Sequence, residues 1–288
     1  MKPATFNYDR AFSLEEALSF RHRYGEDGTV LAGGQSLVPM MNMRLARPTH
    51  LIDINRCHEL EYSKEQDEQI LIGALTRQRS AETSLTIKAH CPLLAEALSY
   101  VGHLPIRRRG TIGGSVAHAD PSAEIPSVIA ALDGKLRIAS AAGRREVFAD
   151  EFFLSYMTTA LEPNELLIEI ELPKLRTEVG SAYVEFTRRH GDFAIVGIAA
   201  ALSLNSGRID RAWLGMAGVG AGPIKPKKAE QALMGNAPSK ELFEYVGELA
   251  TDECDPNSDL RASAQYRREL VKIFVGRALS KSLERAQQ

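Results

Sequence analysis

Two short glycine-rich segments constrain the fold of this chain more than any other feature. The first is Leu31-Ala32-Gly33-Gly34-Gln35-Ser36-Leu37, and the second is Gly110-Thr111-Ile112-Gly113-Gly114-Ser115. In each, an apolar residue leads into a Gly-Gly pair that is followed by a polar residue. Glycine allows successive backbone N–H groups to point into one concavity, and it allows the backbone to approach a ligand closely. Two segments of the same design predict opposite walls of one extended anion site.

The polar side chains beside these glycines are neutral hydrogen-bond donors. They are Gln35, Ser36, Thr111 and Ser115. Neutral donors suit a diphosphate that has to be held without becoming a leaving group. A single Gly-Gly pair is more often only a turn, so the prediction of a ligand site depends on the presence of both segments.

Length and charge limit the classes of protein that this chain can represent. It has 288 residues, 44% of them hydrophobic, and a formal net charge of −2. The length allows one large domain or two modest ones, and the absence of a basic excess argues against nucleic-acid binding. No apolar run approaches the roughly 20 residues of a transmembrane helix, and the start of the chain lacks the apolar core of a signal peptide. We therefore expect a cytoplasmic protein without a membrane span.

The cysteines predict that the chain carries no metal cluster of its own. Cys57, Cys91 and Cys254 are far apart, and no Cys-x-x-Cys pair occurs. An iron–sulfur cluster needs about four thiolates, which are commonly close together in the sequence. We interpret the three as reduced, partly buried thiols. Any cluster with which the protein exchanges electrons then has to lie on another subunit.

The order of helical and strand patterns indicates an α+β fold. Helices are predicted over 14–25, 36–41, 92–101, 124–132, 228–234, 240–250 and 263–285. Strands are predicted over 29–31, 50–54, 70–72, 136–138, 166–172, 183–187, 194–204 and 208–219. The last two form a hairpin that turns at Asn205-Ser206-Gly207. A polar stretch over 174–180 predicts a boundary between domains at residues 1–176 and 177–288.

The residues around both glycine segments resemble a known family. Ala32-Gly33-Gly34-Gln35-Ser36 with the following 37–45, and Arg108 to Ser115, resemble the two flavin loops of the FAD-binding medium subunit of molybdenum hydroxylases. Arg188-Arg189-His190-Gly191-Asp192-Phe193-Ala194 resembles a third segment of that family, which opens its C-terminal domain. The family includes xanthine dehydrogenase, carbon monoxide dehydrogenase and hydroxylases of N-heterocycles such as quinoline 2-oxidoreductase. The three segments follow the family's order, and the resemblance covers nearly the whole chain.

The resemblance implies a fold, a cofactor and partners. The fold would be a PCMH-type FAD-binding domain of two α+β subdomains, followed by a small α+β domain of the carbon monoxide dehydrogenase flavoprotein type. The chain would take electrons from the [2Fe–2S] clusters of a small subunit and pass them through FAD to an external acceptor. A large subunit would hold a molybdopterin cofactor, in a heterohexamer made of two heterotrimers. Neither catalytic residues nor metal ligands are expected in this chain.

The resemblance also implies which residues bind FAD. These are Ala32, Gly33, Gly34, Gln35, Ser36, Val101, Thr111, Ile112, Gly113, Gly114, Ser115, Asp120, Glu124, Leu167 and Phe193. Glu124 occupies the place of an acidic residue that binds the adenosine half, although an acid favoured by the start of a helix explains it equally well. Phe193 is a candidate cover for the flavin ring or a plain core residue.

Two positions depart from related flavoproteins. Gln35 stands near the place where a histidine of related oxidases is joined covalently to the flavin, which predicts noncovalent FAD. Glu185 stands where many medium subunits carry lysine, which argues against a charge contact with the flavin ring from this position.

Two other functions stay open at this point. One is a self-sufficient flavin oxidoreductase of the same superfamily, and the other is an assembly subunit that has lost FAD. The organic substrate would bind to the large subunit, so purines, carbon monoxide and nicotine-like or quinoline-like heterocycles all remain possible, as does any terminal acceptor.

Overall fold

The computed structural model describes residues 2–288, which form three sheets of three or more strands, with helices packed around them. The first sheet is parallel and has the order β1-β3-β2. Its strands are β1 (Asn7–Arg10), β2 (Gly28–Leu31) and β3 (His50–Asp53). All three strands therefore end at the same edge, where the first glycine segment leaves β2 and leads into helix α2 (Leu37–Asn42).

Local capping explains the helix between the first two strands. The Ser13 side chain accepts a hydrogen bond from Glu16 N at 3.2 Å, while the Glu16 carboxylate accepts one from Phe12 N at 2.8 Å. Helix α1 (Leu14–Tyr24) then ends at Gly25, whose φ of +50° suits glycine. The structure confirms the predicted helix and both of its ends.

The second sheet has five strands in the order β4-β5-β10-β6-β7. Its strands are β4 (Ser63–Gln66), β5 (Gln69–Gly73), β6 (Lys135–Ser140), β7 (Gly143–Phe148) and β10 (Leu166–Pro173). A small two-stranded ribbon, β8 (Phe153–Ser155) and β9 (Thr158–Thr159), follows β7. The pairings within the five-stranded sheet are antiparallel, with a register shift in β10 between Leu167 and Glu169.

Seven helices belong to the part of the chain that forms this second sheet. They are α3 (Gln78–Thr83), α4 (Leu85–His90), α5 (Pro92–Tyr100), α6 (Leu104–Arg109), α7 (Ile112–His118), α8 (Glu124–Ala131) and α9 (Ala149–Phe152). Their apolar side chains and those of the sheet form one continuous core, which includes Leu94, Ile125 and Ile170. This core reaches into the third sheet through Tyr183 and Ala199.

The third sheet is antiparallel and is covered by the C-terminal helices. It consists of β11 (Val179–Phe186), β12 (Val196–Asn205) and β13 (Arg208–Ala217), with the helices α10 (Lys227–Leu233), α11 (Lys240–Asp252) and α12 (Ala264–Ala286). Ser206 and Gly207 have φ values of +51° and +77°, as a two-residue hairpin turn requires. The predicted hairpin and the three predicted C-terminal helices are confirmed.

The third sheet packs tightly against the helices that cover the second sheet. A Cβ atom on Gly215 of β13 would lie 2.1 Å from the carbonyl oxygen of Ser127 in α8, so only glycine fits there. Gly218 N donates to the carbonyl oxygen of Pro121 at 2.7 Å. Across the same junction, Glu96 of α5 pairs with Lys281 at 2.6 Å and Arg285 at 2.7 Å, both in α12.

Several short elements were not predicted. Among them are β1, whose residues are mostly exposed, and α6, which contains no buried residue. Such elements carry no apolar periodicity, because their backbone is ordered by neighbouring segments and not by a buried face. Over residues 2–288, the structure contains no helix that is long and apolar enough to cross a membrane.

Candidate flavin site

The first glycine loop (31–37) has its carbonyl groups engaged by the protein. The Gly33 carbonyl accepts from Gln35 Nε2 at 2.8 Å, and the Gly34 carbonyl accepts from Val38 N at 3.0 Å. The Ala32 carbonyl accepts from Asn55 Nδ2 at 2.8 Å. Gly34 has a φ of +70°, which turns the chain sharply between β2 and α2. Gln35 therefore stabilises the loop itself with its side chain.

The N–H groups of the same loop are free. Within residues 2–288, no protein atom accepts a hydrogen bond from the backbone N–H of Gly33, Gly34, Gln35, Ser36 or Leu37. In a trans peptide the C=O and N–H point in opposite directions, so tying the carbonyls to the protein turns the N–H groups the other way. A run of backbone N–H groups without protein acceptors suits an anionic ligand. This is the property that the sequence predicted for the first segment.

The second glycine segment is built differently. Gly113 and Gly114 lie in the first turn of α7, whose N-cap residue Thr111 accepts from Gly114 N at 3.0 Å through its hydroxyl. Gly113 N donates to the Ala74 carbonyl at 2.9 Å, and Ile112 N donates to the Thr76 carbonyl at 3.0 Å. These three N–H groups are consumed within the protein, so the expectation of a second row of free donors is wrong.

The reason for glycine also differs among the four predicted glycines. Of the four, only Gly34 has a positive φ. A Cβ on Gly113 would lie 2.5 Å from Ala74, and a Cβ on Gly114 would lie 2.6 Å from the Thr111 hydroxyl. Close packing of α7 against the end of β5 therefore explains Gly113, while Gly114 leaves room for the helix cap.

The two glycine segments touch each other. A Cβ on Gly33 would lie 2.5 Å from the Arg109 carbonyl oxygen and 2.7 Å from Gly110 Cα. Gly33 is therefore required because the start of the second segment lies directly against it. The sequence predicted that the two segments are opposite walls of one anion site. The structure places them in direct contact, and the N–H groups without protein acceptors come from the first segment.

Two residues of this region were missed by the sequence reasoning. Asn55 holds the Ala32 carbonyl from behind, and Arg77 donates to Asn55 Oδ1 at 2.8 Å and to the Arg109 carbonyl at 2.6 Å. Position in the sequence could have indicated Asn55. It follows β3, which pairs with β2, and parallel strands place their carboxyl ends at one edge of the sheet.

The arginines before the second segment have separate roles. Arg107 pairs with Glu82 at 2.9 Å and donates to the carbonyl oxygens of Val101 and Gly102 at 2.9 and 3.1 Å. It thus orders the chain around Val101, one of the predicted site residues. Arg108 and Arg109 are exposed.

Asp120 and Phe193 lie in a second group, at the junction with the C-terminal sheet. Asp120 lines a cavity of about 160 Å³ together with Tyr156, Arg261 and Arg267. Its Oδ1 accepts from Ser122 N at 2.9 Å. The Arg261 guanidinium lies 5.2 Å from the centre of the Phe193 ring, which is 44% exposed. Phe193 is therefore a surface aromatic, available to cover a ligand, and the plain core alternative does not hold.

One buried carboxyl group, that of Glu124, and one half-buried carboxyl group, that of Glu185, lie near this junction. Burial, together with the neighbouring Asp120, raises the pKa of Glu124 to about 7. Burial, together with Glu124, raises the pKa of Glu185 to about 8. Glu185 Oε2 is buried and has no hydrogen-bond partner among the described residues. Near neutral pH, Glu185 is therefore largely protonated and presents no fixed charge, while Glu124 is about half protonated.

Leu167 lies on the strand behind the second segment. It is buried at the register shift of β10, where the next carbonyl, that of Ile168, accepts from Ala74 N at 2.9 Å. Gly113 N donates to the Ala74 carbonyl, so one strand residue and two hydrogen bonds connect Leu167 to the second glycine segment.

These features fit a dinucleotide cofactor with a diphosphate at its centre. The free N–H groups of the first loop suit the diphosphate, and the exposed Phe193 ring suits an aromatic ring system. This combination of fold and site suits a flavoprotein.

Comparison with known proteins identifies the family. Residues 4–175 match the family described as the FAD-binding domain in molybdopterin dehydrogenase, and residues 181–282 match the carbon monoxide dehydrogenase flavoprotein C-terminal domain. The chain belongs to the FAD-binding medium subunits of molybdenum hydroxylases.

Individual relatives agree over their whole length. The chain is 41% identical over 287 residues to the alpha subunit of the 6-hydroxypseudooxynicotine dehydrogenase complex of Paenarthrobacter nicotinovorans, covering 99% of this chain and 97% of that protein. It superposes on carbon monoxide dehydrogenase from Hydrogenophaga pseudoflava with a TM-score of 0.97 and 37% identity, covering 99% of both chains. Quinoline 2-oxidoreductase from Pseudomonas putida 86 superposes with a TM-score of 0.95 and 33% identity, with complete coverage of both. FAD is thus the cofactor of this chain's family, and its relatives are dehydrogenase and oxidoreductase subunits.

Proposed function

We propose that this chain binds one FAD noncovalently along the two glycine segments and transfers electrons through it within a molybdenum hydroxylase complex. The observation that carries the proposal is the run of N–H groups from Gly33 to Leu37 that have no protein acceptor. FAD supplies the redox chemistry when bound, and the protein supplies binding, orientation and electrostatics. The Gln35 side chain is occupied at the Gly33 carbonyl, and it has no nucleophile that could bond to the flavin.

The proposed electron donor is a [2Fe–2S] cluster on a small partner subunit. The three cysteines of this chain lie in three different apolar clusters, with Cys57 in the first domain's parallel-sheet core. Burial raises the pKa of each thiol to about 12, and residues 2–288 contain no group of three or more side chains placed to hold a metal. A large subunit with a molybdopterin cofactor would oxidise the organic substrate, in a complex of two heterotrimers. The free thiols fit a reducing compartment, and we propose the cytoplasm.

The electrons would leave through the face near Phe193. This ring is exposed beside the junction of the two domains, where residues 1–176 and 177–288 meet in our proposed division. The external acceptor would approach there, and no acid–base residue of this chain would have to contact the organic substrate.

Purification from the native source tests the proposal. The chain should co-purify with two further polypeptides, and iron, molybdenum and FAD should be present in a fixed ratio. In the complex, a substrate chosen from N-heterocycles, aldehydes and carbon monoxide should bleach the flavin absorbance anaerobically. The FAD-loaded chain alone should be bleached by dithionite and by none of those substrates.

Two results would contradict the proposal in different ways. Full substrate turnover by the isolated chain would identify it as a self-sufficient oxidoreductase. A native complex that contains iron and molybdenum but no flavin would identify the chain as an assembly subunit.

A further inference from the structure

The Asn55 side chain is held at both ends of its amide group. Its Nδ2 donates to the Ala32 carbonyl at 2.8 Å and to Asp53 Oδ1 at 2.6 Å. Its Oδ1 accepts from Arg77 Nη2 at 2.8 Å. Because arginine only donates and a carbonyl only accepts, these partners allow a single orientation of the amide.

This orientation decides where one backbone N–H of the first loop points. The Ala32 carbonyl and the Gly33 N–H belong to the same trans peptide, so they point in opposite directions. When Asn55 donates to the Ala32 carbonyl, the Gly33 N–H points away from Asn55, and no atom of residues 2–288 accepts a hydrogen bond from it. Asn55 thus acts on the first donor of the run without lying on the ligand side.

Arg77 connects this arrangement to the second glycine segment. Its Nη1 donates to the Arg109 carbonyl at 2.6 Å. A Cβ atom on Gly33 would lie 2.5 Å from the same oxygen. One guanidinium therefore reaches the first segment through Asn55 and the second segment directly.

Asp53 anchors the arrangement in the parallel sheet. Its carboxylate accepts from Asn55 N at 2.9 Å and from the Tyr8 hydroxyl, and Arg10 lies at 3.5 Å. Burial opposes ionisation of Asp53, but the hydrogen bonds from Tyr8 and Asn55 outweigh it and hold its pKa below the usual value. The anchor is therefore a charged acceptor at neutral pH.

We propose that Asn55 and Arg77 are positioning residues that hold the two glycine segments in the geometry that binds the flavin diphosphate. We call this pair the loop clasp. The inference rests on the proposed assignment of FAD to the two segments. It assigns to the clasp an effect on flavin affinity that is larger than its effect on folding, because its members bind the backbone carbonyls of Ala32 and Arg109 and no core side chain.

The chain offers a matched control for the charge of Arg77. Arg79 lies two residues further along α3, and its side chain is 44% exposed. It pairs with Glu82 at 3.0 Å and has no hydrogen bond to either glycine segment. Arg77 is the N-cap residue of α3 and Arg79 lies in its first turn, so Arg77→Met and Arg79→Met remove the same charge two residues apart, and only the first breaks the clasp.

The test is the dissociation constant of FAD, measured by flavin fluorescence with the full-length, deflavinated chain. We expect Arg77→Met and Asn55→Ala each to raise it at least tenfold, and Arg79→Met to change it less than twofold. The double variant should bind FAD about as weakly as the weaker single variant, because both changes break one unit. Arg77→Lys, which keeps one donor, should recover part of the affinity.

The thermal midpoint of the deflavinated chain separates positioning from folding. It should fall by no more than a few degrees in every variant. If Arg77→Met is less stable than that, recovery of FAD affinity in Arg77→Lys still tests the positioning role. Equal weakening by Arg79→Met would mean that only charge matters, which would overturn the clasp. Unchanged affinity in Arg77→Met and Asn55→Ala would also overturn it.

Gly34→Val shows which level of the inference fails. If Gly34→Val weakens FAD binding while the clasp variants do not, the flavin assignment survives and the clasp is refuted. If Gly34→Val also binds FAD normally, the assignment of FAD to the first loop is refuted, and the clasp falls with it.

Discussion

Gly34 shows how one residue can be required by the backbone alone. Its φ is +70°, and the atoms nearest to a Cβ there are ends of flexible side chains, Leu31 Cδ1 at 3.0 Å and Val38 Cγ2 at 3.1 Å. The constraint on this position is therefore conformational. Gly113 is the opposite case, because its φ is negative and the Ala74 backbone lies where a Cβ would be.

We predict that Gly34→Val weakens FAD binding at least tenfold. A β-branched residue resists this left-handed backbone at a cost of roughly 1–2 kcal/mol, so the loop will relax and its N–H groups will lose their alignment. FAD titration of the deflavinated chain measures the effect. Gly235→Val is the matched control, since Gly235 has a φ of +74° with no atom within 4 Å of its Cβ position. Gly235→Val should show similar strain and normal FAD binding, and equal losses in both variants would contradict the prediction.

Glu185 is a residue whose burial makes stability depend on pH. Burial raises its pKa from 4.5 to about 8, so between these values the unfolded chain is ionised while the folded chain holds the proton. The stabilising contribution is complete below pH 4.5 and is lost as the pH rises through about 8. The nearby Glu124, whose pKa is raised to about 7, adds to the same trend.

We predict that Glu185→Gln stabilises the deflavinated chain at pH 8 by about 1 kcal/mol or more and has little effect near pH 4.5. The amide keeps the shape of the protonated acid and cannot ionise. Urea unfolding at both pH values gives the difference in free energy. Glu244→Gln, at a side chain that is 66% exposed, should show no such dependence on pH. A stabilisation of equal size at both pH values would count against the argument.

At the scale of elements, the helices α5 and α12 join the two halves of the chain. Glu96 of α5, whose side chain is 19% exposed, binds Lys281 and Arg285 of α12 and accepts from Tyr183 N at 3.1 Å. Burial opposes the ionisation of Glu96, but hydrogen bonds from Arg285, Lys281 and Tyr183 N outweigh it and hold its pKa below the usual value. At neutral pH, Glu96 is therefore ionised and forms ion pairs that join the two helices; we call this contact the latch.

We predict that Glu96→Ala destabilises the folded chain by about 2 kcal/mol. Breaking a fully buried ion pair costs about 3–5 kcal/mol, and the cost here is smaller because Lys281 and Arg285 remain partly hydrated. Chemical denaturation measures it. Glu244→Ala removes an exposed pair with Lys240 at 3.6 Å and should cost less than about 0.5 kcal/mol. Equal costs for the two variants would show that the latch contributes nothing beyond a surface pair.

At the scale of the whole molecule, the proposed flavin site draws on separate layers. The donors come from the edge of the parallel sheet, the second wall comes from the start of α7, and Phe193 comes from the segment between β11 and β12. A ligand that reaches all three would span both halves of the chain. Its binding should therefore stabilise the complete fold by mass action.

We predict that each chain releases one intact FAD on acid denaturation. The prediction of noncovalent binding rests on Gln35, because its side chain donates to the Gly33 carbonyl and cannot form a covalent bond to the flavin. Acid precipitation should leave a colourless pellet, and phosphodiesterase should convert the released chromophore to FMN. A covalent flavoprotein treated in parallel should retain its colour in the pellet, and the same retention here would refute noncovalent binding.

The sequence by itself determined the features that depend on neighbouring residues. The cap at Ser13, the end of α1 at Gly25, the hairpin turn at Ser206 and Gly207, and the two glycine segments were all legible because their physical causes lie within a few residues. The resemblance of the glycine segments also identified the family, which the comparisons confirmed.

The tertiary structure decided which of those residues could act together. Gly33 meets Arg109 across a separation of 76 residues, and Arg77 meets Asn55 across 22. Such contacts follow from strand order and helix packing, which a local pattern does not encode. The same packing gave the N–H groups of the second segment to Ala74, Thr76 and Thr111, while those of the first segment remained free. Two similar glycine motifs therefore differ in function. The second uses its backbone N–H groups in hydrogen bonds within the protein, and the first leaves them available to a ligand.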